Sequence, residues 1–174
     1  MDIKHLIKQA KTKNKDALIE LIMAKKDEYY KLAFVYVRNK EDALDTLQDM
    51  ILLIFEKIHT LKKEEAFYSW SKTILVNCCR NHLRKNKKII TMNEIPEMMS
   101  QDNNEKIEDT LFVESHLSKL SVKYQEIIRL RFYLDLDYTN ISQLLNIPIG
   151  TVKSRLNTAL TKLKRSMGGE YWNE

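Results

Sequence analysis

Glycine, proline and cysteine are all scarce in this chain, whose 174 residues contain three, two and two of them. With so few breakers among many Leu, Ile, Lys and Glu, and little alternation of Val or Thr, helix formers dominate nearly every window, which predicts an all-α protein. The two cysteines, Cys78 and Cys79, are adjacent. They match neither a C-x-x-C redox motif nor a zinc pair, and a vicinal disulfide is strained, so buried or half-buried thiols are expected. Also missing is any apolar run long enough to span a bilayer. The stretch M-D-I-K-H-L-I-K-Q-A-K-T-K-N-K is too interrupted by charge for a signal peptide. These absences predict a cytoplasmic protein without membrane insertion. An apolar share of 44% and a charged share of 30% are those of an ordinary folded protein and exclude disorder throughout.

The net charge of +5 conceals three regions of different sign. Residues 1–90 carry 19 Lys/Arg against 12 Asp/Glu, residues 91–116 carry 1 against 7, and residues 117–174 carry 9 against 5. Two basic parts therefore flank an acidic one, a distribution that suits a polyanion such as nucleic acid and equally the solvated helix faces of a Lys-rich protein.

Apolar residues three and four apart predict a helix or helix pair from Asp16 to Val37. A second helix is predicted from about Glu41 to Ile58, burying Ala43, Leu44, Leu47, Ile51, Ile54, Phe55 and Ile58, and a third from about Glu65 to Lys88 through Phe67, Trp70, Ile74 and Leu75. Residues 1–90 thus read as a three- or four-helix bundle. Residues 91–112 lose periodicity, contain Pro96 and a polar cluster from Ser100 to Asn104, and read as an acidic linker. Residues 113–174 form the second small helical domain, with segments from Val113 to Leu120 and Val122 to Tyr133 leading into D-Y-T-N-I-S-Q-L-L-N-I-P-I-G-T-V-K-S-R-L.

That last stretch has the pattern of a helix-turn-helix. Asp137 can cap a short helix whose apolar face is Ile141, Leu144 and Leu145. Asn146 tolerates the left-handed conformation that a sharp turn needs, and Pro148 falls near the first turn of the next helix, where its missing N–H is harmless. On a wheel of about 100° per residue, Val152, Leu156, Ala159, Leu160 and Leu163 share one arc of that helix. Ser154, Asn157, Thr158, Thr161 and Arg165 lie opposite, flanked by Lys153 and Lys164 on one side and by Thr151, Arg155 and Lys162 on the other. Short polar side chains ringed by cations suit a major groove, where they approach base edges while Lys and Arg neutralise phosphates. Gly150 would let another backbone or a phosphate approach the helix start. A merely solvated face is the competing reading, which the preceding turn makes weaker.

On these residues the chain resembles the RNA polymerase sigma factors of the extracytoplasmic-function (ECF) class, which keep only regions two and four. L-S-V-K-Y-Q-E-I-I-R-L-R-F followed by the helix-turn-helix resembles the family's L-P-x-x-x-R-x-V-x-x-L-R and S-Y-x-E-I-A-x-x-L-G-x-P-x-G-T-V-x-S-R. In the first half, D-A-L-D-T-L-Q-D-M resembles D-A-E-D-x-x-Q-E-x-F, and A-F-Y-S-W-S-K-T-I-L-V-N-C-C-R-N-H-L-R-K resembles A-F-x-x-W-L-x-x-I-A-x-N-x-x-x-D-x-x-R.

The resemblance implies a site for each half. Asp42, Asp45, Gln48, Asp49 and Glu56, which lie off the apolar stripe, would dock on the clamp helices of the polymerase largest subunit, and region four on its flap. A solvated acidic face is the usual alternative, and a two-metal site would need ligands on other helices, so no metal and no cofactor are expected. The loop around Lys62, Lys63, Glu64 and Glu65 would hold a flipped base of the minus-ten element. Asn77 and Asn81 would contact the non-template strand, with Arg80, Arg84, Lys85, Lys87 and Lys88 on phosphates; those cations also complement the helix macrodipole. Phe67 and Trp70 read as packing residues rather than base-stacking ones. Gly150, Thr151, Lys153, Ser154, Arg155, Asn157 and Thr158 would read the minus-thirty-five element. The acidic linker would lie in the path of nascent RNA, or serve only as a solubilising tether. An anti-sigma partner follows from family habit.

Departures from the family pattern are local. Asn157-Thr158-Ala159-Leu160 stands where His/Phe-Arg-Ala-Arg is usual, removing two cations, so the minus-thirty-five contact would rest more on shape and phosphates. Thr139, Asn140 and Ser142 replace Glu, Glu and Ala, and Ser71 replaces Leu. An autonomous helix-turn-helix regulator would not need the D-A-L-D-T-L-Q-D-M face. A DNA-processing enzyme with such an appendage would need a catalytic constellation, and neither an acidic triad on a sheet nor a Gly-rich phosphate loop is present. The expectation is a non-enzymatic promoter-specificity subunit with no small-molecule substrate.

Overall fold

The computed structural model describes residues 2–86 and 104–168, and of residues 104–110 only the helical path. The described residues are helical, without strands, and fall into two compact units, Met1–Met92 and Asn93–Glu174. No described helix is long and apolar enough to cross a membrane.

The first unit contains α1 (Ile3–Lys11), α2 (Lys15–Met23), α3 (Lys26–Val37), α4 (Lys40–Lys57) and α5 (Phe67–Lys85), with 3-10 turns at Ile58–Thr60 and Glu64–Ala66. The helix expected over Asp16 to Val37 is the pair α2 and α3. Helix α1 lies in a stretch where no helix was expected. Its signal is short: Asp2 accepts from the backbone N–H of His5 at 3.2 Å as an N-cap, and Leu6, Ile7 and Ala10 form one buried face. Arg38 ends α3 in the left-handed conformation (φ 58°), and Asn39 caps α4 by accepting from Asp42 N–H at 2.9 Å. Helix α5 begins at Phe67 because Glu64–Ala66 tightens into a 3-10 turn.

Helix α4 packs against both α3 and α5, which also pack on each other, and its buried residues are Ala43, Thr46, Met50 and Ile54, continued by Ile58. This corrects the expected stripe: Leu44 is 45% exposed, and Leu47, Ile51 and Phe55 are half-buried; Leu52, outside that stripe, is 64% exposed. The second half of α4 is apolar almost all round, so composition does not select a face; the two neighbouring helices do. Thr46 is tolerated inside because its hydroxyl donates to Ala43 C=O at 2.9 Å. Tyr29 and Phe67 are fully buried, and Cys78 and Cys79 are buried free thiols whose pKa values burial pushes up to about 11 and about 12.

The second unit contains α6 (Asn104–Leu117), α7 (Val122–Phe132), α8 (Tyr138–Leu145) and α9 (Ile149–Ser166). Helix α6 starts inside the stretch read as linker, earlier than the expected Val113. Glu114 on α6 joins Arg129 on α7 at 3.2 Å, with both side chains largely buried, and accepts from the Tyr133 hydroxyl. Helices α7, α8 and α9 close over Leu117, Ile127, Leu130, Ile141 and Val152, all fully buried.

Candidate nucleic-acid interface

In the second unit the helix-turn-helix is built by local bonds. Asp137 accepts from Asn140 N–H at 2.7 Å, and Asn146 takes the left-handed conformation at φ 53°, ψ 50°. One device escaped the sequence reading: the Ser142 hydroxyl donates to Ile147 C=O at 2.6 Å, clamping the turn from inside. Alanine could not do this, which gives the departure from the family residue a structural reason. Pro148 is the N-cap of α9, just outside the helix.

On α9, Val152, Leu156, Ala159 and Leu163 are buried, whereas Leu160 is 37% exposed and does not belong to the core arc. On the wheel Leu160 lies at the edge of that arc, where α7 and α8 no longer cover it. Lys153, Ser154, Asn157 and Thr158 are exposed, and Thr151 and Arg155 half-buried. A Cβ built on Gly150 would meet nothing within 4 Å, so no other backbone approaches it and the space is open. Two cations approach the Tyr138 ring, Arg131 Cζ at 5.9 Å and Lys153 Nζ at 5.8 Å from its centroid. Asn157, Thr158, Thr161, Lys162 and Arg165 line a shallow hollow of about 260 Å³, so Asn157 and Thr158, two of the residues that depart from the family pattern, sit beside the cations Lys162 and Arg165.

In the first unit, Asp45, Gln48, Asp49 and Glu56 are exposed on α4, as are Leu44 and Leu52. Asp42 is half-buried and its Oδ1 lies 3.1 Å from His82 Nε2 of α5, so it is drawn inward from that face. Glu56 and His59 have Glu-x-x-His spacing, but among the described residues no group of three His, Cys, Asp or Glu could hold a metal.

Lys62 and Lys63 are exposed, Glu64 is half-buried, and Glu65 is exposed and 3.0 Å from Lys4 Nζ. Bonds from its own backbone N–H and from Lys4 hold the Glu65 carboxyl below the usual carboxylate range. Asn77, Asn81, Arg84 and Lys85 are exposed on α5, with Arg80 half-buried. Arg84 donates to the Asn81 side-chain oxygen, linking a cation to one of the two candidate reading amides. Phe67 is fully buried and Trp70 half-buried, their ring centroids 6.4 Å apart. Lys87 and Lys88 lie outside the described residues, as does the linker before Asn104.

Comparison with known proteins adds the decisive observation. The sigma-70 region 2 family matches residues 21–89, and sigma-70 region 4 matches residues 113–163. The chain is 38% identical over 156 residues to the RNA polymerase sigma factor SigV of Bacillus subtilis, covering 89% of this chain and 93% of that protein. The chain belongs to the ECF sigma factors.

It is also 26% identical to the ECF sigma factor SigW of Bacillus subtilis, over 96% of this chain and 97% of that one. Among solved structures, CnrH in complex with the cytosolic domain of CnrY matches with TM-score 0.66 at 18% identity, over 96% of this chain and 97% of that chain. RpoE in complex with the anti-sigma factor NepR from Bartonella quintana matches with TM-score 0.64 at 18% identity, over 87% and 96%. These two show the fold. As an ECF sigma factor the protein binds core RNA polymerase, recognises promoter elements and initiates transcription. Nothing in these likenesses supports an autonomous helix-turn-helix regulator.

Proposed function

We propose that this sigma factor divides its work between its two units. Residues up to about 90 dock on polymerase and open the minus-ten element; the helices from α6 onward engage the flap and read the minus-thirty-five element. It acts in the cytoplasm, where polymerase and chromosome are, and needs neither metal nor cofactor nor catalytic residue. The observation that carries the docking reading is the outer face of α4. Leu44, Gln48 and Leu52 stand exposed in a row along the helix with Asp45, Asp49 and Glu56 exposed along one side of it, a mixed apolar and acidic strip of the kind protein–protein contacts use. That strip suits the clamp helices of the largest subunit.

Opening DNA without ATP requires that binding to an unstacked base offset the cost of unpairing it. Lys62, Lys63, Glu64 and Glu65 form the loop that would hold such a base; Asn77 and Asn81 would contact the displaced strand, and Arg80, Arg84 and Lys85 its phosphates. Gly150, Thr151, Lys153, Ser154, Arg155, Asn157 and Thr158 would meet the minus-thirty-five element. The open space at Gly150 and the exposed short side chains support this reading. An anti-sigma factor would compete with polymerase for the same helices. The acidic linker would occupy the RNA path until transcript displaces it.

Run-off transcription with purified bacterial core polymerase on genomic fragments tests the whole reading. Specific transcripts are expected only when the protein is added. A folded protein that binds core yet directs no initiation would refute it.

A further inference from the structure

Helix α1 precedes the stretch matched by the region 2 family, and nothing above gives it a task. Its position does. Leu6, Ile7 and Ala10 are buried, and α1 packs on α2 and on both 3-10 turns that bracket the loop Leu61–Lys63. The loop has no ladder of backbone bonds to hold it. Ile58, Leu61 and Phe67 are its buried anchors, while Lys62, Lys63 and Glu65 between them are exposed. Two polar ties join α1 and its following turn to this stretch. Lys4 Nζ lies 3.0 Å from Glu65 Oε1, and Lys13 Nζ donates to Phe55 C=O at 2.7 Å while lying 4.6 Å from the centre of the Phe55 ring. The Asp2 cap fixes the first turn of α1, which carries Lys4. One tie thus holds the end of α4 and the other the far side of the loop.

We propose that α1 is a splint for the minus-ten loop and that Lys4 is a positioning residue, its pairing with Glu65 fixing the loop in the conformation that receives the flipped base. The proposal rests on reading Lys62 to Glu65 as the minus-ten loop. Glu65 is then a structural member of the loop, not a group that meets the base. A fully exposed pair contributes little to global stability. Its consequence is local, because a loop without its own hydrogen-bond ladder opens at small cost.

The test uses the full chain with core polymerase, comparing Lys4→Glu, Glu65→Lys and the double swap. Three quantities are measured: affinity for core, permanganate reactivity of the opened minus-ten region, and base preference in a promoter pool randomised there. Each single change is expected to lower opening roughly three-fold, the scale of an exposed ion pair, and to broaden base preference with core affinity unchanged. The swap is expected to restore both. If Lys4 instead met a phosphate, the swap would not restore opening, and that result overturns the proposal. So does Lys4→Glu behaving as the unaltered protein. Lys62→Ala with Lys63→Ala, run in parallel, separates the two readings. If that pair impairs opening and Lys4→Glu does not, the splint alone falls; if that pair also leaves opening intact, the minus-ten loop reading falls with it.

Discussion

Ser71 Oγ lies 2.7 Å from Tyr29 Oη, joining α5 to α3 through two buried side chains. Because Ser71 also donates its one proton to Tyr68 C=O at 3.1 Å, the Tyr29 hydroxyl is the donor of the pair. The small residue at position 71, where the family pattern quoted above has Leu, is what makes room for that hydroxyl. Tyr29→Phe is expected to cost about 1 kcal/mol, and Ser71→Leu about 1–3 kcal/mol by overpacking against the Tyr29 ring. Urea unfolding measures both. A Ser71→Leu protein as stable as the parent would show that the space is not set by Tyr29.

The helix-turn-helix depends on three local devices. Asp137→Ala removes the α8 cap and is expected to cost about 1 kcal/mol. Ser142→Ala loses the bond to Ile147 C=O and is expected to cost a similar amount, about 1 kcal/mol. Asn146→Val places a β-branched residue at φ 53°, where strain is expected to cost about 1–3 kcal/mol. Hydrogen exchange of the second unit should report each as faster opening, with the first unit unchanged.

Docking on polymerase separates two kinds of residue on α4. Gln48→Lys and Asp49→Lys are exposed and should weaken core binding ten-fold or more, on the order of 1.4 kcal/mol or above, without changing the melting temperature. Asp42→Ala removes a partner of His82 as well, so it should lower the melting temperature. Fluorescence anisotropy with labelled core and thermal melts distinguish the two.

Promoter contacts by Lys153 and Arg155 are expected to be of the phosphate kind. Alanine at either should lower affinity for all minus-thirty-five sequences alike, and reduce the slope of log K against log salt by about one. A change confined to one base position would instead assign that residue to base reading.

The buried thiols define an alkaline limit. Burial raises Cys78 to about 11 and Cys79 to about 12, so the folded state keeps protons that the unfolded chain releases above its ordinary thiol value of about 8.5. Above that pH the unfolded state binds fewer protons, and stability falls as pH rises toward the folded values. Both thiols should resist iodoacetamide at pH 8 in the native protein and react on unfolding. Cys78→Ala together with Cys79→Ala should flatten the alkaline loss.

Much of the architecture was legible in the sequence because it depends on neighbours in the chain. Few glycines and prolines and a 3.6-residue period establish helices, and Asp137, Asn146 and Pro148 mark the turn through bonds that span at most a few residues. The polar arc of α9 follows from helix geometry alone. What depended on distant residues was not legible. Leu44, Leu52 and Leu160 are as apolar as their buried neighbours, and only packing against α3, α5, α7 and α8 decides which face is covered. Helix α1 is too short to announce itself by period, and its Lys4 meets Glu65 only through the fold. Asp42 turns toward His82, and Tyr29 finds Ser71, across sequence separations that no local pattern encodes. Sequence alone thus determined the elements and the chemical character of their faces; tertiary packing decided which faces remain exposed, because burial depends on the neighbouring helices that cover a face.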